Sequence, residues 1–176
     1  SSAEERVEIA MGTLLPKAME LGIPMENIYL DPLVLTVNGC QEHAPQTLEA
    51  VRFFKQVADP PPMTVVGLSN ISNSVPNENR SLINRTFMVM LMAAGLDAAI
   101  ADPLDRKLMD WIRAVEERDD STPVYRLLLK LYDRIAAAEE LEAEDVDMQD
   151  QEQVDIYKTV QILRNKVIYA HSYLRM

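Results

Sequence analysis

Two side chains that follow short apolar runs could together recognise a nitrogen heterocycle. Asp31 follows one such run, and its carboxylate can accept two parallel hydrogen bonds from an N–H/NH₂ edge, such as a guanidinium or the aminopyrimidinone of a pterin. Asn70 follows another run, and its amide can both donate and accept, which suits a ring nitrogen whose protonation changes during a reaction. Asp and Asn are also common in turns, so a structural role for each stays open.

Other polar residues give weaker signals. Asn38 precedes Gly39, and this pair is typical of a tight turn. Arg80 lies in a long polar stretch and is the better candidate to bind an acidic part of a ligand. Arg85 lies within an apolar helix, and we expect a structural pairing for it.

The sequence predicts no metal site. His43 and His171 lie far apart in the chain, and Cys40 has no partner at CxxC spacing. The acidic stretch lacks the pattern of a calcium-binding loop. Phosphate-binding glycine loops and a nucleophile elbow are also missing from the sequence.

These polar residues must be positioned by alternating strands and helices. Strands are predicted at 28–31, 63–68 and 97–101. Helices are predicted at 7–21, 45–58, 82–95 and from about 104 to 118. Continuous apolar strands that alternate with helices predict a parallel sheet, in which ligands bind at the carboxyl ends of the strands. The polar residues at those ends are Asp31, Ser69, Asn70 and Asp102.

The last third of the chain breaks this alternation. A helix is predicted at 123–141, and helical spacing resumes at 154–165. The acidic stretch 136–152 is expected to be a solvated helix end with a flexible link. The apolar and aromatic tail, 167–176, is expected to pack on the body of the protein.

Composition limits the class of protein. The chain has 176 residues, 48% of them hydrophobic, which is enough for one core. A net charge of −11 argues against nucleic acid or an anionic membrane surface as the main partner. The sequence has neither a bilayer-spanning apolar run nor the features of a signal peptide at its start. A single cysteine fits a reducing compartment, so we expect a cytoplasmic protein.

Several motifs together resemble a known family. They are YLDPLVLTVNGC, TVVGLSN, LINRTF, AAGLDAAIADPLD and ILRNKVIYAHSYL. They are similar to motifs of the methyltetrahydrofolate:corrinoid/iron–sulfur protein methyltransferases. Those enzymes belong to the pterin-binding family, with dihydropteroate synthase and the folate module of cobalamin-dependent methionine synthase. The resemblance covers about 14–108 and 159–174.

The resemblance implies an activity and a site. The N5-methyl group of methyltetrahydrofolate would move to the cobalt(I) of a corrinoid carried by a corrinoid (iron–sulfur) partner protein. Asn70 would be the catalytic residue, because its amide would hydrogen-bond N5, and Asp31 would hold the pterin. Asn38 would support the floor near Asp31, and Asn73 would lie towards the p-aminobenzoyl group. The full set of implied substrate-binding residues is Asp31, Asn38, Ser69, Asn70, Asn73 and Arg80.

The resemblance also implies a fold, of which this chain would form only a part. Enzymes of this family are (β/α)₈ TIM barrels, and this chain would be the C-terminal portion, with strands six to eight. Residues 1–113 would be barrel, 114–155 an acidic helical insertion in the last helix, and 156–176 the terminal helix and tail. We therefore expect a C-terminal fragment whose activity needs the other strands. The resemblance further implies a homodimer.

Three alternatives stay open. A dihydropteroate-synthase-like enzyme is less favoured, because that enzyme carries cations where this chain has Ser69-Asn70-Ile71 and Ala99-Ile100-Ala101-Asp102. A methylamine or betaine:corrinoid methyltransferase would share the barrel. The third alternative is a non-catalytic fragment that acts as a binding module; it need not bind methyltetrahydrofolate, whereas the enzyme must bind it once all eight strands are present.

Overall fold

Three short strands form the centre of the fold. The computed structural model describes residues 2–175. The strands are β1 (Tyr29–Leu30), β2 (Met63–Gly67) and β3 (Ala98–Ile100). They form a parallel sheet in the order β1-β2-β3, with β1 and β3 as its two edges. The predicted α/β class with a parallel sheet is confirmed.

Helices surround this sheet and account for most of the described chain. They are α1 (Ala3–Ile9), a π-helical turn (Ala10–Leu14), α2 (Leu15–Glu20), α3 (Val37–Cys40), α4 (His43–Phe54), α5 (Asn77–Ala94), α6 (Arg106–Glu116), α7 (Pro123–Ala136) and α8 (Gln151–Leu163). Short 3₁₀ turns lie at Met25–Asn27, Leu68–Ser72, Ala143–Asp145 and Tyr173–Arg175. Within residues 2–175, no helix is long and apolar enough to cross a membrane.

The ends of the helices follow from local chemistry. Thr122 accepts a hydrogen bond from Tyr125 N at 3.1 Å and so caps the start of α7. Asp150 does the same for α8 through Glu152 N at 3.0 Å. Gly95 ends α5 with φ +102, a left-handed conformation that glycine adopts without a Cβ penalty.

Two predicted features differ from the structure. Helix α5 begins at Asn77 rather than at 82, so the last five residues of the polar stretch, 77–81, are helical instead of part of a loop. The acidic stretch is not a flexible link, because Leu141 and Val146 are buried in the main core. Asp145 also forms ion pairs with Lys130 and Arg134 of α7. Ordered packing at apolar positions overrides the disorder that the local charge suggests.

The sheet has one covered face and one open face. Side chains alternate between the faces of a strand, and Leu30, Thr64 and Val66 are buried beneath the helices. On the opposite face, Tyr29 is 53% exposed and Ile100 is 73% exposed. The covered face belongs to the packed interior, whereas large apolar side chains of the other face meet solvent.

Helix α5 lies at the centre of the main core. Its buried residues Ile83, Phe87 and Leu91 pack in one cluster with Leu128 and Leu131 of α7. The tail joins the same cluster through Tyr173, as the sequence predicted. The segment after β3 therefore shares one continuous core with the strand-bearing part of the chain.

Candidate functional site

The polar residues named above lie at one edge of the sheet. Asp31 directly follows β1, and Asp102 comes shortly after β3. Ser69 and Asn70 lie in the 3₁₀ turn that follows β2. Because parallel strands present their carboxyl ends at the same edge, the predicted grouping of these residues is confirmed.

Asp31 uses only one of its carboxylate oxygens within the described chain. Oδ1 accepts a hydrogen bond from Leu33 N at 2.8 Å, which is the turn-capping interaction that the sequence left open. The carboxylate is exposed, and Oδ2 has no hydrogen-bond partner among residues 2–175. Asp102 forms the same turn with Leu104 N at 2.9 Å. The turn-forming role of Asp31 thus leaves an acceptor oxygen open to solvent.

A buried arginine supports the turn that holds Asp31. Leu33 has φ +66, a left-handed conformation that is costly for a bulky residue. Its carbonyl accepts a hydrogen bond from Thr47 Oγ1 at 3.1 Å, which that hydroxyl shares with His43 O at 3.0 Å. Thr47 Oγ1 in turn accepts a hydrogen bond from Arg6 Nη1 at 3.0 Å. Arg6 of α1 and Thr47 of α4 therefore hold the strained turn at Leu33 in place.

Arg6 is also coupled electrostatically to Asp31. It is 7% exposed, and burial lowers the pKa of its guanidinium, while the charge of Asp31 partly offsets that lowering. Sequence reasoning missed both Arg6 and Thr47. A usable signal was the charged Arg6 in the apolar stripe between the buried Ala3 and Ala10 of the first helical segment.

Asn70 presents a free amide at the end of β2. Its side chain is exposed and has no hydrogen-bond partner in the part of the chain that the structure describes. It lies close to the backbone of Gly67, since a Cβ built there would be 3.2 Å from Asn70 Nδ2. Gly67 has an ordinary φ of −83, so the absence of a Cβ here leaves space for the Asn70 amide and is not required by the backbone conformation. The amide is therefore available to donate and to accept.

The loops after β1 and β2 are tied directly to each other. Thr36 Oγ1 donates to Asn73 O at 2.6 Å, and Asn38 Nδ2 donates to Ser74 O at 2.9 Å. Gly39 has φ +90, so the predicted turn at this position is confirmed. The side chain of Asn38 thus binds the loop after β2, and its role beneath Asp31 stays a prediction.

Arg80 is oriented by the turn that carries Ser69. Its Nε donates to Ser72 Oγ at 3.3 Å, and Ser72 Oγ donates to Ser69 O at 3.3 Å. Within residues 2–175, the Arg80 guanidinium forms no ion pair. Arg80 and Ser69 line a cleft of about 450 Å³ between the loops after β2 and β3, with Asp102 and Asp105 on its other wall.

Arg85 has the structural role that the sequence suggested, through an unexpected partner. Its guanidinium lies 4.6 Å from the ring centroid of Trp111, and Nη1 donates to Ser81 Oγ at 2.9 Å. Burial lowers its pKa, and the charges of Glu152 and Asp105 partly oppose that effect. Among residues 2–175, no group of three or more His, Cys, Asp or Glu side chains is placed to hold a metal ion.

A family model matches the part of the chain that carries this edge of the sheet. A model described as pterin binding enzyme matches residues 1–102. The chain belongs to the pterin-binding enzyme family. The matched part of this pterin-binding chain contains all three strands and both loops that carry the candidate residues.

The chain is similar to curated proteins that are named methionine synthase and methylcorrinoid:tetrahydrofolate methyltransferase. It is 29% identical over 154 residues to a methionine synthase of Mycobacterium tuberculosis, covering 78% of this chain and 13% of that protein. It is 28% identical over 117 residues to a methylcorrinoid:tetrahydrofolate methyltransferase of Eubacterium limosum, covering 66% and 41%. A methionine synthase of Mycobacterium leprae is 31% identical over 103 residues, covering 56% and 8%.

The chain therefore spans less than half the length of each of these relatives. The resemblance to a pterin-binding methyltransferase family, inferred from the sequence motifs, is confirmed.

Proposed function

We propose that this chain carries pterin-binding loops of a (β/α)₈ enzyme that transfers the N5-methyl group of methyltetrahydrofolate to the cobalt(I) of a corrinoid protein. The observation that carries the proposal is the free amide of Asn70, held against Gly67 at the carboxyl end of β2. Asp31 offers a free carboxylate oxygen at the same end of the neighbouring strand. The names of the similar proteins support this class of reaction.

Asp31 would bind the pyrimidine edge of the pterin. Its exposed carboxylate can accept hydrogen bonds from a ring N–H and the adjacent NH₂, and such charge-assisted pairs are short and directional. The chain Arg6–Thr47–Leu33 keeps the backbone of this turn fixed, which favours a preformed site.

Asn70 would stabilise the change at N5 during transfer. When the N5–CH₃ bond breaks, its electron pair stays on nitrogen, and a proton must be held or delivered there. A neutral amide can accept from a protonated N5 or donate to its lone pair, so it can interact more strongly as charge develops. The corrinoid of the partner protein supplies the cobalt(I) nucleophile that receives the methyl group.

The remaining candidate residues would bind the rest of the substrate. We propose that Asn73 and Arg80 face the p-aminobenzoyl part, while Ser69 and Asn38 support the loops around the pterin. The guanidinium of Arg80 lines the cleft beside Ser69 and forms no ion pair within residues 2–175, which supports a role towards an acidic group. The carboxylates of Asp102 and Asp105 on the opposite wall would repel any further anionic group that entered the cleft.

The three strands would correspond to strands six to eight of the barrel, its C-terminal portion. Two features support an incomplete barrel: within residues 2–175 both outer strands have a free edge, and Tyr29 and Ile100 expose apolar surface on one face of the sheet. Additional parallel strands would cover that face and complete the site. Residues 114–155 would be an insertion, although helix α7 within it packs firmly on α5.

The test compares methyltetrahydrofolate binding by this chain with and without a polypeptide that holds the other strands. Calorimetric titration measures binding, and the absorbance change of cob(I)alamin measures methyl transfer. We expect binding only in the complemented sample, and we expect Asn70→Ala to reduce the transfer rate by roughly 10²-fold. Asn27→Ala is the matched control, because Asn27 is exposed in the 3₁₀ turn before β1.

Two outcomes would sink the proposal. If the complemented protein folds but does not bind methyltetrahydrofolate, the chain is a binding module rather than part of this enzyme. If Asn70→Ala and Asn27→Ala transfer methyl groups at equal rates, Asn70 has no catalytic role.

A further inference from the structure

A short segment after α8 contacts both candidate loops. Residues 165–173, the C-terminal strap, begin with Asn165, which has φ +56, a left-handed turn conformation. The strap ends at Tyr173, which is buried and places its hydroxyl 2.9 Å from Thr159 Oγ1 of α8. Both ends of the strap are thus attached to the same helix.

Gln41 binds the strap to the loop after β1. Its Nε2 donates to Asn165 Oδ1 and to Val167 O, each at 2.9 Å. Its Oε1 accepts a hydrogen bond from Tyr169 N at 2.6 Å. One side chain therefore joins three points of the strap, more than 120 positions away in the sequence.

Asn79 binds the strap to the segment after β2. Its Nδ2 donates to His171 O at 2.9 Å, and the side chain is buried. Asn79 precedes Arg80 at the start of α5, so the strap is attached beside the candidate ligand-binding cation. The ring of Tyr169 packs against those of His171 and Tyr173, which stiffens this part of the strap.

These contacts close a ring of three segments. The loops after β1 and β2 bind each other through Thr36 and Asn38. The strap binds the first loop through Gln41, and through Asn79 it binds the first turn of α5, which directly follows the second loop. We infer that the C-terminal strap fixes the spacing of the two loops, so that Gln41 and Asn79 are positioning residues for the site. Neither residue needs to touch substrate, because a closed ring restricts the relative movement of its members. That the ligand of this site is methyltetrahydrofolate rests on the proposed function.

Hydrogen exchange can test this coupling without any ligand. Gln41→Ala removes contacts to the strap only, yet we expect faster exchange at Asn73 N and Val75 N, which belong to the loop after β2. Gln46→Ala is the matched control, because Gln46 Oε1 accepts from Ala3 N at 2.9 Å, remote from the strap. The control should leave the exchange at Asn73 and Val75 unchanged.

A second variant approaches the same contact from the strap. Asn165→Gly removes the acceptor of Gln41 while keeping a residue that tolerates positive φ. It should accelerate the same two amides, whereas Thr64 N in the sheet should not change. Unchanged exchange at Asn73 and Val75 in both strap variants would overturn the inference. A uniform increase at all amides would also overturn it, because the strap would then only stabilise the whole fold.

Ligand affinity provides a second readout. In the complemented barrel, Gln41→Ala and Asn165→Gly should each weaken methyltetrahydrofolate binding roughly three- to tenfold, as loss of a few positioning hydrogen bonds would. Unaltered affinity in both variants would contradict a positioning role. If the unmodified protein binds no methyltetrahydrofolate, the proposed function fails, while the exchange result still decides the coupling of the loops.

Discussion

The side-chain nitrogen of Asn70 lies 3.2 Å from the place that a Cβ on Gly67 would occupy. An added methyl group would therefore displace the amide by a few tenths of an ångström. We expect Gly67→Ala to lower the methyl-transfer rate of the complemented barrel by roughly tenfold, because catalysis is sensitive to small misplacements. The free energy of unfolding should change little, since the backbone of Gly67 has an ordinary φ. Single-turnover kinetics and urea denaturation measure the two effects.

Gly12→Ala is the control for that substitution. A Cβ at Gly12 would meet no heavy atom within 4 Å, so both transfer and folding should be preserved. A Gly67→Ala variant that transfers methyl groups as fast as the Gly12→Ala variant would show that the approach of Asn70 to the strand end is unimportant.

Two buried threonines offer a test of the support beneath Asp31. Thr47 and Thr86 are both fully buried, but Thr47 Oγ1 bonds Arg6 and Leu33, whereas Thr86 Oγ1 has no partner among residues 2–175. Thr47→Val should lower the free energy of unfolding by about 1–3 kcal/mol, because it leaves buried polar groups unpaired. Thr86→Val should be neutral or stabilising. Equal effects in urea denaturation would contradict the role assigned to Thr47.

The amino end of the sheet should respond to acid through Asp97. Burial raises the pKa of Asp97, but hydrogen bonds from Lys55 Nζ at 2.7 Å and from Thr64 outweigh it, so the pKa lies below its ordinary value of 3.8. The resulting stability is present above the unfolded-state pKa and is lost as the pH falls through the folded-state pKa.

Asp97→Asn should consequently cost about 1–3 kcal/mol of unfolding free energy near pH 7, with a smaller difference from the unmodified protein near pH 3. Urea denaturation at both pH values measures this difference. Asp110→Asn is the control, because Asp110 is exposed on α6. If Asp97→Asn lowered the free energy of unfolding equally at both pH values, the stabilisation would not depend on the ionised carboxylate of Asp97.

Tyr173 should make the strap sensitive to alkali. Burial raises the pKa of Tyr173 to about 12, above its ordinary value of 10.0, despite the opposing hydrogen bond with Thr159. The stability from its neutral hydroxyl is complete below pH 10 and is lost as the pH rises towards 12. Tyr173→Phe should remove this dependence.

The expected result is that Tyr173→Phe unfolds about 0.5–1.5 kcal/mol more easily at pH 7, because the bond to Thr159 is lost. This difference in unfolding free energy should shrink at pH 11, where the unmodified protein loses the stability that the neutral hydroxyl of Tyr173 provides. Tyr29→Phe, at an exposed position on β1, should follow the unmodified protein at both pH values. A constant difference between Tyr173→Phe and the unmodified protein would refute the alkaline effect.

Local patterns predicted the three strands and the helix ends that depend on neighbouring residues. The left-handed Gly95 at the end of α5 is an example, since glycine is favoured there whatever packs around it. The start of α5 was not predictable in the same way. Residues from Asn77 to Ser81 are polar enough for a loop, and they become helical because the helix continues from a core segment packed against α7.

The sequence by itself determined which residues meet at the carboxyl edge of the sheet. Apolar runs end at turn-forming residues, so Asp31, Asn70 and Asp102 fall at adjacent strand ends without any knowledge of packing. Only the tertiary structure decided which distant residues contact the loops that carry them: Arg6, which bonds Thr47 behind the turn of Asp31, and the C-terminal strap, which Gln41 binds. Such hydrogen bonds join residues that are distant along the chain, and their geometry exists only after the helices have packed.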